Sequence, residues 1–145
     1  MSDVKKNKNR LKISRDKATP DESRISFSFR YLTTNSKFNF DYFSSSQLRD
    51  KVVAYDAFLD VMEFLSSKTK LDIIKMSRKD DGGSEKLPIN SINFLPSGDC
   101  RESLEEVRSI RFGKGKYRLI GFWHDQSFVF CVIGFDFNFL AYNHG

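Results

Sequence analysis

The chain lacks most of the features that would announce a chemistry on their own. Cysteine occurs only as Cys100 and Cys131, without a CxxC partner or a histidine at zinc spacing. That excludes a disulfide-stapled scaffold and a structural zinc site, and no metal or other cofactor is expected. Cys131 lies inside an apolar run, where a small buried thiol is the ordinary reading. Low cysteine usage with no secretory leader points to a reducing, cytoplasmic setting. The longest apolar run, Phe128 to Phe135, is too short to span a bilayer, so no membrane partner is expected. No Ser-His-Asp order, P-loop, HExxH or Rossmann glycine pattern is present, and there is no internal repeat. Net charge is also missing from the body. All of the formal +5 resides in residues 1–17, where seven Lys/Arg face Asp3 and Asp16. Any nucleic-acid affinity of the folded part must therefore come from a local cluster of cations rather than from a global field.

What the chain does have is aromatic bulk. Fifteen Phe and 39% hydrophobic residues in 145 suffice for one domain with a real core. Residues 1–24 are polar, Lys/Asn-rich and aperiodic, and read as a disordered basic tail, either a solvated extension or a nonspecific tether to RNA or ribosome. Residues 25–145 read as a single α+β domain. Alternation at Ile25-Ser26-Phe27-Ser28-Phe29-Arg30-Tyr31 predicts a strand. Phe38 to Tyr42 alternates again, which fits either a hairpin or an extended approach to a helix. Ser44-Ser45-Ser46 offers an N-cap. Leu48, Val52, Tyr55, Leu59 and Met62 then recur at spacings of four and three, one apolar stripe on a helix of about five turns. Leu71, Ile74 and Met76 start a shorter helix that closes an αα-hairpin.

Arg78 to Ser84 reads as a polar turn, Ile89 to Leu95 as an extra strand or irregular connection, and Ser103 to Val107 as a helical turn. Three strands close the domain: Val107–Phe112, Tyr117–Trp123 and Phe128–Phe135. Gly113 and Gly115 bracket the first turn, and His124 to Ser127 make the second. The segment Asn138–Tyr142 either extends the last strand or curls over it.

The segment Gly115-Lys116-Tyr117-Arg118-Leu119-Ile120 resembles the "G-x-Y-R-V-hydrophobic" strand of the RelE/ParE-type toxin superfamily, in its HigB-like or phage-derived branches. Gly134 to Tyr142 is similar to that family's closing segment in length and end residues, with Phe135-Asp136 where a basic or histidine pair is usual. Val107 to Phe112 looks like the strand before it. The motif-level likeness covers about residues 107–145. It implies a RelE-like fold: an N-terminal strand, a helical hairpin, then a twisted antiparallel sheet. The activity implied is that of a toxin of a toxin-antitoxin system, a metal-independent endoribonuclease (an mRNA interferase) acting on mRNA or at the ribosome and held by a cognate antitoxin. The alternative is a non-catalytic protein of the same fold that binds RNA, ribosome, gyrase or a protein partner.

Cleavage by ribose 2′-OH attack needs cations around the phosphorane and groups that move protons. Arg108, Arg111, Lys114, Lys116 and Arg118 are five cations in eleven positions. Strand parity sets Arg108 against Arg111 and aligns Lys116 with Arg118, so the five cannot all line one groove. The expected phosphate cradle is Arg111 and Arg118, since guanidinium groups bind phosphate bidentately. Lys114 and Lys116 are expected RNA contacts. Tyr142 and His144 share parity at the end of the chain and are the expected positioning and acid/base groups. Asp136 is read as paired with Arg118 or Arg111 in a structural role, or alternatively as a base or as orienting a histidine. His124 is expected in solvent, and both Phe122 and Trp123 in the core.

Overall fold

The computed structural model describes residues 24–45, 47–125 and 127–144. The expected tail lies outside them, except for Arg24. The chain folds as α+β around one five-stranded sheet of order β1-β5-β4-β3-β2. The strands are β1 (Ser26–Ser28), β2 (Ser84–Pro88), β3 (Glu106–Phe112), β4 (Tyr117–Trp123) and β5 (Val129–Asp136). β2 to β5 form an antiparallel meander, but β1 joins β5 in parallel, Phe27 opposite Phe130. The sheet is therefore mixed rather than antiparallel throughout. The helices between β1 and β2 carry the chain from one edge of the sheet to the other, which is what permits the parallel pairing.

The first strand is shorter than its alternation suggested. Beyond Ser28 the backbone turns at Arg30-Tyr31, and Phe38 to Tyr42 form turns and a short helix, α1 (Tyr42–Ser45), not a hairpin partner. The long helix α2 (Leu48–Ser66) begins after Gln47, whose side chain makes no capping bond. Of the three serines expected to cap it, Ser44 and Ser45 belong to or border α1, and Ser46 is outside the described residues. α3 (Lys70–Lys75) opens on a true capping box. Thr69 Oγ1 accepts from Asp72 N at 3.2 Å and Asp72 Oδ2 from Thr69 N at 3.0 Å.

Apart from Met62, the apolar stripe read along α2 is not the face it buries. Ala54, Val61 and Leu65 are buried against the sheet, with Ala57, Phe58 and Met62 half-buried beside them. Small Ala54 and Ala57 let the helix lie close, and the large residues at Leu48, Val52, Tyr55 and Leu59 remain exposed. On α3 likewise Ile73 is buried, while Leu71 and Ile74 face out.

The sheet has two covered faces. Ile110, Phe112, Leu119, Phe130, Val132 and Phe135 pack toward the helices. Val107, Ile120 and Ile133 pack on the reverse face with Phe38, Ile92, Phe94, Ala141 and Tyr142. Ile120 pairs Gly134, yet Gly121 pairs Val132, so Ile133 is the extra residue of a β-bulge. A bulge there is favoured by glycine at 121 and 134. A Cβ on Gly121 would sit 2.2 Å from the Cys131 carbonyl, and one on Gly134 2.5 Å from the Phe94 ring. The bulge shifts the phase of β5, so that Asp136 lands on the reverse face, opposite Arg118. Past β5 the chain curls over the sheet rather than extending it. No helix among the described residues is long and apolar enough to cross a membrane.

Candidate functional site

The site is built on the reverse face, at the end of the β2-β3-β4-β5 meander. Strand alternation puts Ser109 and Arg111 of β3 on that face, between the core residues Ile110 and Phe112 that point to the helices. Cross-strand pairing sets Arg111 opposite Arg118, Ser109 opposite Glu85, and Arg118 opposite Asp136. The returning C-terminal segment then lays Tyr142 and His144 over them. A hollow of about 300 Å³ results, lined by Arg78, Lys79, Gly83, Glu85, Ser109, Arg111, Arg118 and His144.

Asp136 organises the segment that closes the hollow. It is 1% exposed. Its Oδ1 accepts from the backbone N–H of Asn138 (3.3 Å) and Leu140 (3.0 Å), and its Oδ2 from that of Ala141 (3.2 Å) and from His144 Nε2 (3.1 Å). A carboxylate so buried is tolerable because it collects several donors. Of the roles read for it, the structure places Asp136 on the histidine, with no arginine in ion-pair contact. His144 is further held by rings, stacked on Tyr142 at 4.0 Å between centroids and met edge-on by Phe139 at 4.6 Å. With Nε2 held by Asp136, Nδ1 is the ring nitrogen without a hydrogen-bond partner among the described residues.

Tyr142 is buried and its hydroxyl is shared. Ser109 Oγ lies 2.8 Å away, and Tyr142 Oη donates to Glu85 Oε1 at 3.2 Å. Burial pushes the phenol above its ordinary 10.0, with Glu85 adding to the rise and the Ser109 hydrogen bond and the Arg118 charge opposing it. Tyr142 is therefore a neutral positioning group at physiological pH, not a proton acceptor.

The arginines are the unusual element. Arg118 is 8% exposed, and its Nη1 donates to the carbonyls of Gly115 (2.8 Å) and Tyr117 (2.9 Å), with Phe139 under the guanidinium at 5.6 Å. Arg111 reaches the Lys79 carbonyl only at 3.5 Å, and its Nε is buried with no partner. Neither has a carboxylate within ion-pair distance, as the described residues contain only two ion pairs, His124–Asp125 and His144–Asp136. Two guanidinium groups on paired strands, neither in an ion pair and one with an unused buried donor, can receive an anion.

Of the sequence-predicted residues, Arg111, Arg118, Tyr142 and His144 are thus brought together. Lys114 and Lys116 are not. They fall in the Gly113–Lys116 turn, not on a strand, so the parity that aligned Lys116 with Arg118 does not apply. Lys114 takes φ +57°, and Asp81 grips the turn by accepting from Lys114 N (2.7 Å) and Gly115 N (3.0 Å). Both lysines line a different hollow, of about 530 Å³, beside Asp56, Asp60 and Asp81. Arg108 points to the helical face and donates to Ser84 Oγ at 2.9 Å, as its parity required. His124 stands in solvent, and Phe122 and Trp123 are half-buried on opposite faces against Tyr31 and Phe130.

Sequence reasoning left Glu85, Ser109 and the Arg78-Lys79 pair out of the site. The signal for Glu85 was weak, because Ser84–Pro88 does not alternate in hydrophobicity and reads as loop. Ser109 was visible in principle as the one polar residue between Val107 and Arg111 on their shared face. Among the described residues no group of three or more His, Cys, Asp or Glu side chains is arranged to hold a metal. Comparison with protein-family models, with curated proteins and with solved structures gives no match to this chain.

Proposed function

We propose that the hollow takes a backbone phosphate of RNA and cleaves the strand by attack of the adjacent ribose 2′-OH, as the toxin component of a toxin-antitoxin pair. The observation that carries this reading is the pair Arg111–Arg118, neither in an ion pair, which shares one hollow with a histidine fixed by a buried carboxylate. The order of elements, strand, helices and meander, is compatible with the RelE/ParE resemblance, which adds mRNA or the ribosome as target, a small antitoxin as partner and the cytoplasm as setting.

In the reaction the 2′-oxygen forms a bond to phosphorus while the bond from phosphorus to the 5′-oxygen breaks. A proton leaves the 2′-OH and another is delivered to the departing 5′-oxygen. Arg111 and Arg118 stabilise the charge that accumulates on the phosphorane oxygens, Arg118 already oriented by its two carbonyl contacts. His144 Nδ1 exchanges one proton, and Asp136 fixes the ring. Glu85, which lines the same hollow, exchanges the other. Tyr142 and Ser109 hold Glu85 and the His144 ring in register. Arg78 and Lys79 lie where neighbouring phosphates of the strand would pass.

The test is an end-labelled RNA offered in the presence of EDTA, beside the same strand with single 2′-deoxy substitutions. We expect fragments ending in 2′,3′-cyclic phosphate and beginning with 5′-OH, and no cut at a substituted position. His144→Ala is expected to slow cleavage by about 10²–10⁴-fold, the range for a general acid or base. If RNA binds but stays intact, alone and on ribosomes, the catalytic reading falls and the binding alternative stands.

A further inference from the structure

We propose that the outward face of α2 is a dimer seam, on which α2 of a second copy of this chain packs in the antiparallel sense. Leu48, Val52, Tyr55 and Leu59 are 46–70% exposed and follow one another at steps of four, three and four. That is the a/d repeat of a helix that packs on another helix, and it is separate from the Ala54, Val61 and Leu65 face already spent on the sheet. A shallow hollow of about 220 Å³ between Phe43, Lys51, Val52 and Tyr55 opens beside the seam, a socket for one incoming side chain. A row of four large apolar residues in solvent marks an interaction surface rather than a stable solvent face.

Charge identifies the occupant. Arg49 flanks the seam at its N-terminal end, and Asp56 and Glu63 follow on the same flank at steps of seven in the C-terminal half. None of the three is in an ion pair among the described residues. Asp50, two positions from both Leu48 and Val52, points away from the seam. A helix basic at one end and acidic at the other is complementary to itself when reversed. The basic end of each copy then meets the acidic half of the other, twice over, as a two-fold axis requires. The parallel sense would bring acidic half against acidic half and would also align the helix dipoles. The seam belongs to the helical side of the sheet and the arginine hollow to the reverse side, so the two hollows of such a dimer stay open.

Sedimentation equilibrium on the full chain reads this directly. A dimer is expected well below about 100 µM. Leu59→Lys, at a position too exposed to threaten folding, is expected to raise the dissociation constant by at least about tenfold. Arg49→Glu is expected to weaken the dimer less, and the combination Arg49→Glu, Asp56→Lys, Glu63→Lys, which reverses the polarity of the flank, to restore it. Far-UV circular dichroism confirms that each variant is folded. A chain that stays monomeric at about 100 µM, or a dimer indifferent to both Leu59→Lys and Arg49→Glu, overturns the proposal and leaves the face to a different partner.

Discussion

Two hollows flank the β3–β4 turn, and both draw cations from the same eleven-residue stretch. On the helical side, Lys114 and Lys116 share a cleft with Asp56, Asp60 and Asp81. On the reverse side, Arg111 and Arg118 share a smaller one with Glu85, whose nearest described partner is the Tyr142 hydroxyl. In the first hollow the lysines belong to an exposed turn and share the space with carboxylates of α2 and the 77–83 turn, and neither lysine is in an ion pair among the described residues. In the second Arg118 is buried and held by two backbone carbonyls, and half-exposed Arg111 keeps a buried Nε without a partner. What distinguishes the two hollows is not the number of cations but how they are held, guanidinium groups of paired strands against lysines of a turn.

The largest effect should come from exchanging the two pairs. Arg111→Ala or Arg118→Ala is expected to lower RNA cleavage by about 10²–10³-fold, the cost of one preorganised donor to a developing oxyanion. Lys114→Ala with Lys116→Ala is expected to change it by less than about threefold at moderate salt, because exposed cations contribute mainly salt-sensitive attraction. Equal losses from both pairs would show that the contrast between the hollows is empty.

Next in size is Asp136→Asn. The substitution keeps the shape of the side chain but turns one acceptor oxygen into an amide donor, which faces N–H groups. With donors at Asn138, Leu140, Ala141 and His144 to satisfy, a loss of about 3 kcal/mol is expected in denaturant unfolding. Loss of activity with unchanged stability would instead mean that Asp136 serves His144 alone and that the tail holds itself.

How much of this the residues announced follows from where each contact is made. β3, β4 and β5 were legible to within a residue or two because their apolar runs are long and the glycine-bracketed turn between the first two is local. Arg111 and Arg118 were legible with them, since adjacent strands and parity suffice. β2 was not, because Ser84–Pro88 is an edge strand whose residues pack little and whose ladder to β3 is set by the chain on either side of it. Glu85 was lost along with it. Lys116 was misplaced because the residues of a turn with φ +57° at Lys114 and φ +80° at Gly115 do not keep strand alternation. The α2 stripe was read from its spacing of four and three, whereas the sheet took the neighbouring face that carries Ala54 and Ala57, which permits closer approach. That inversion is also why the larger stripe remains available for a partner.

The smallest effect separates position from chemistry within the site. Tyr142→Phe removes one hydroxyl bonded to Ser109 and Glu85, and about 1 kcal/mol of stability at neutral pH is expected to go with it. The alkaline limb carries the sharper signature. The folded-state phenol titrates above the ordinary 10.0, chiefly because it is buried, so the unfolded chain gives up its proton first. The stabilisation from this group is thus complete below about pH 10 and lost as pH climbs through the raised folded value. Tyr117 is raised by burial too and contributes in the same direction. Unfolding measured from pH 8 to 11 should show a shallower fall for Tyr142→Phe than for the parent chain. Cleavage by the same variant should drop through misplacement of Glu85 and His144 without shifting the pH at which the rate is greatest. A moved pH optimum would mean that the phenol itself passes a proton, contrary to the neutral positioning role its burial assigns.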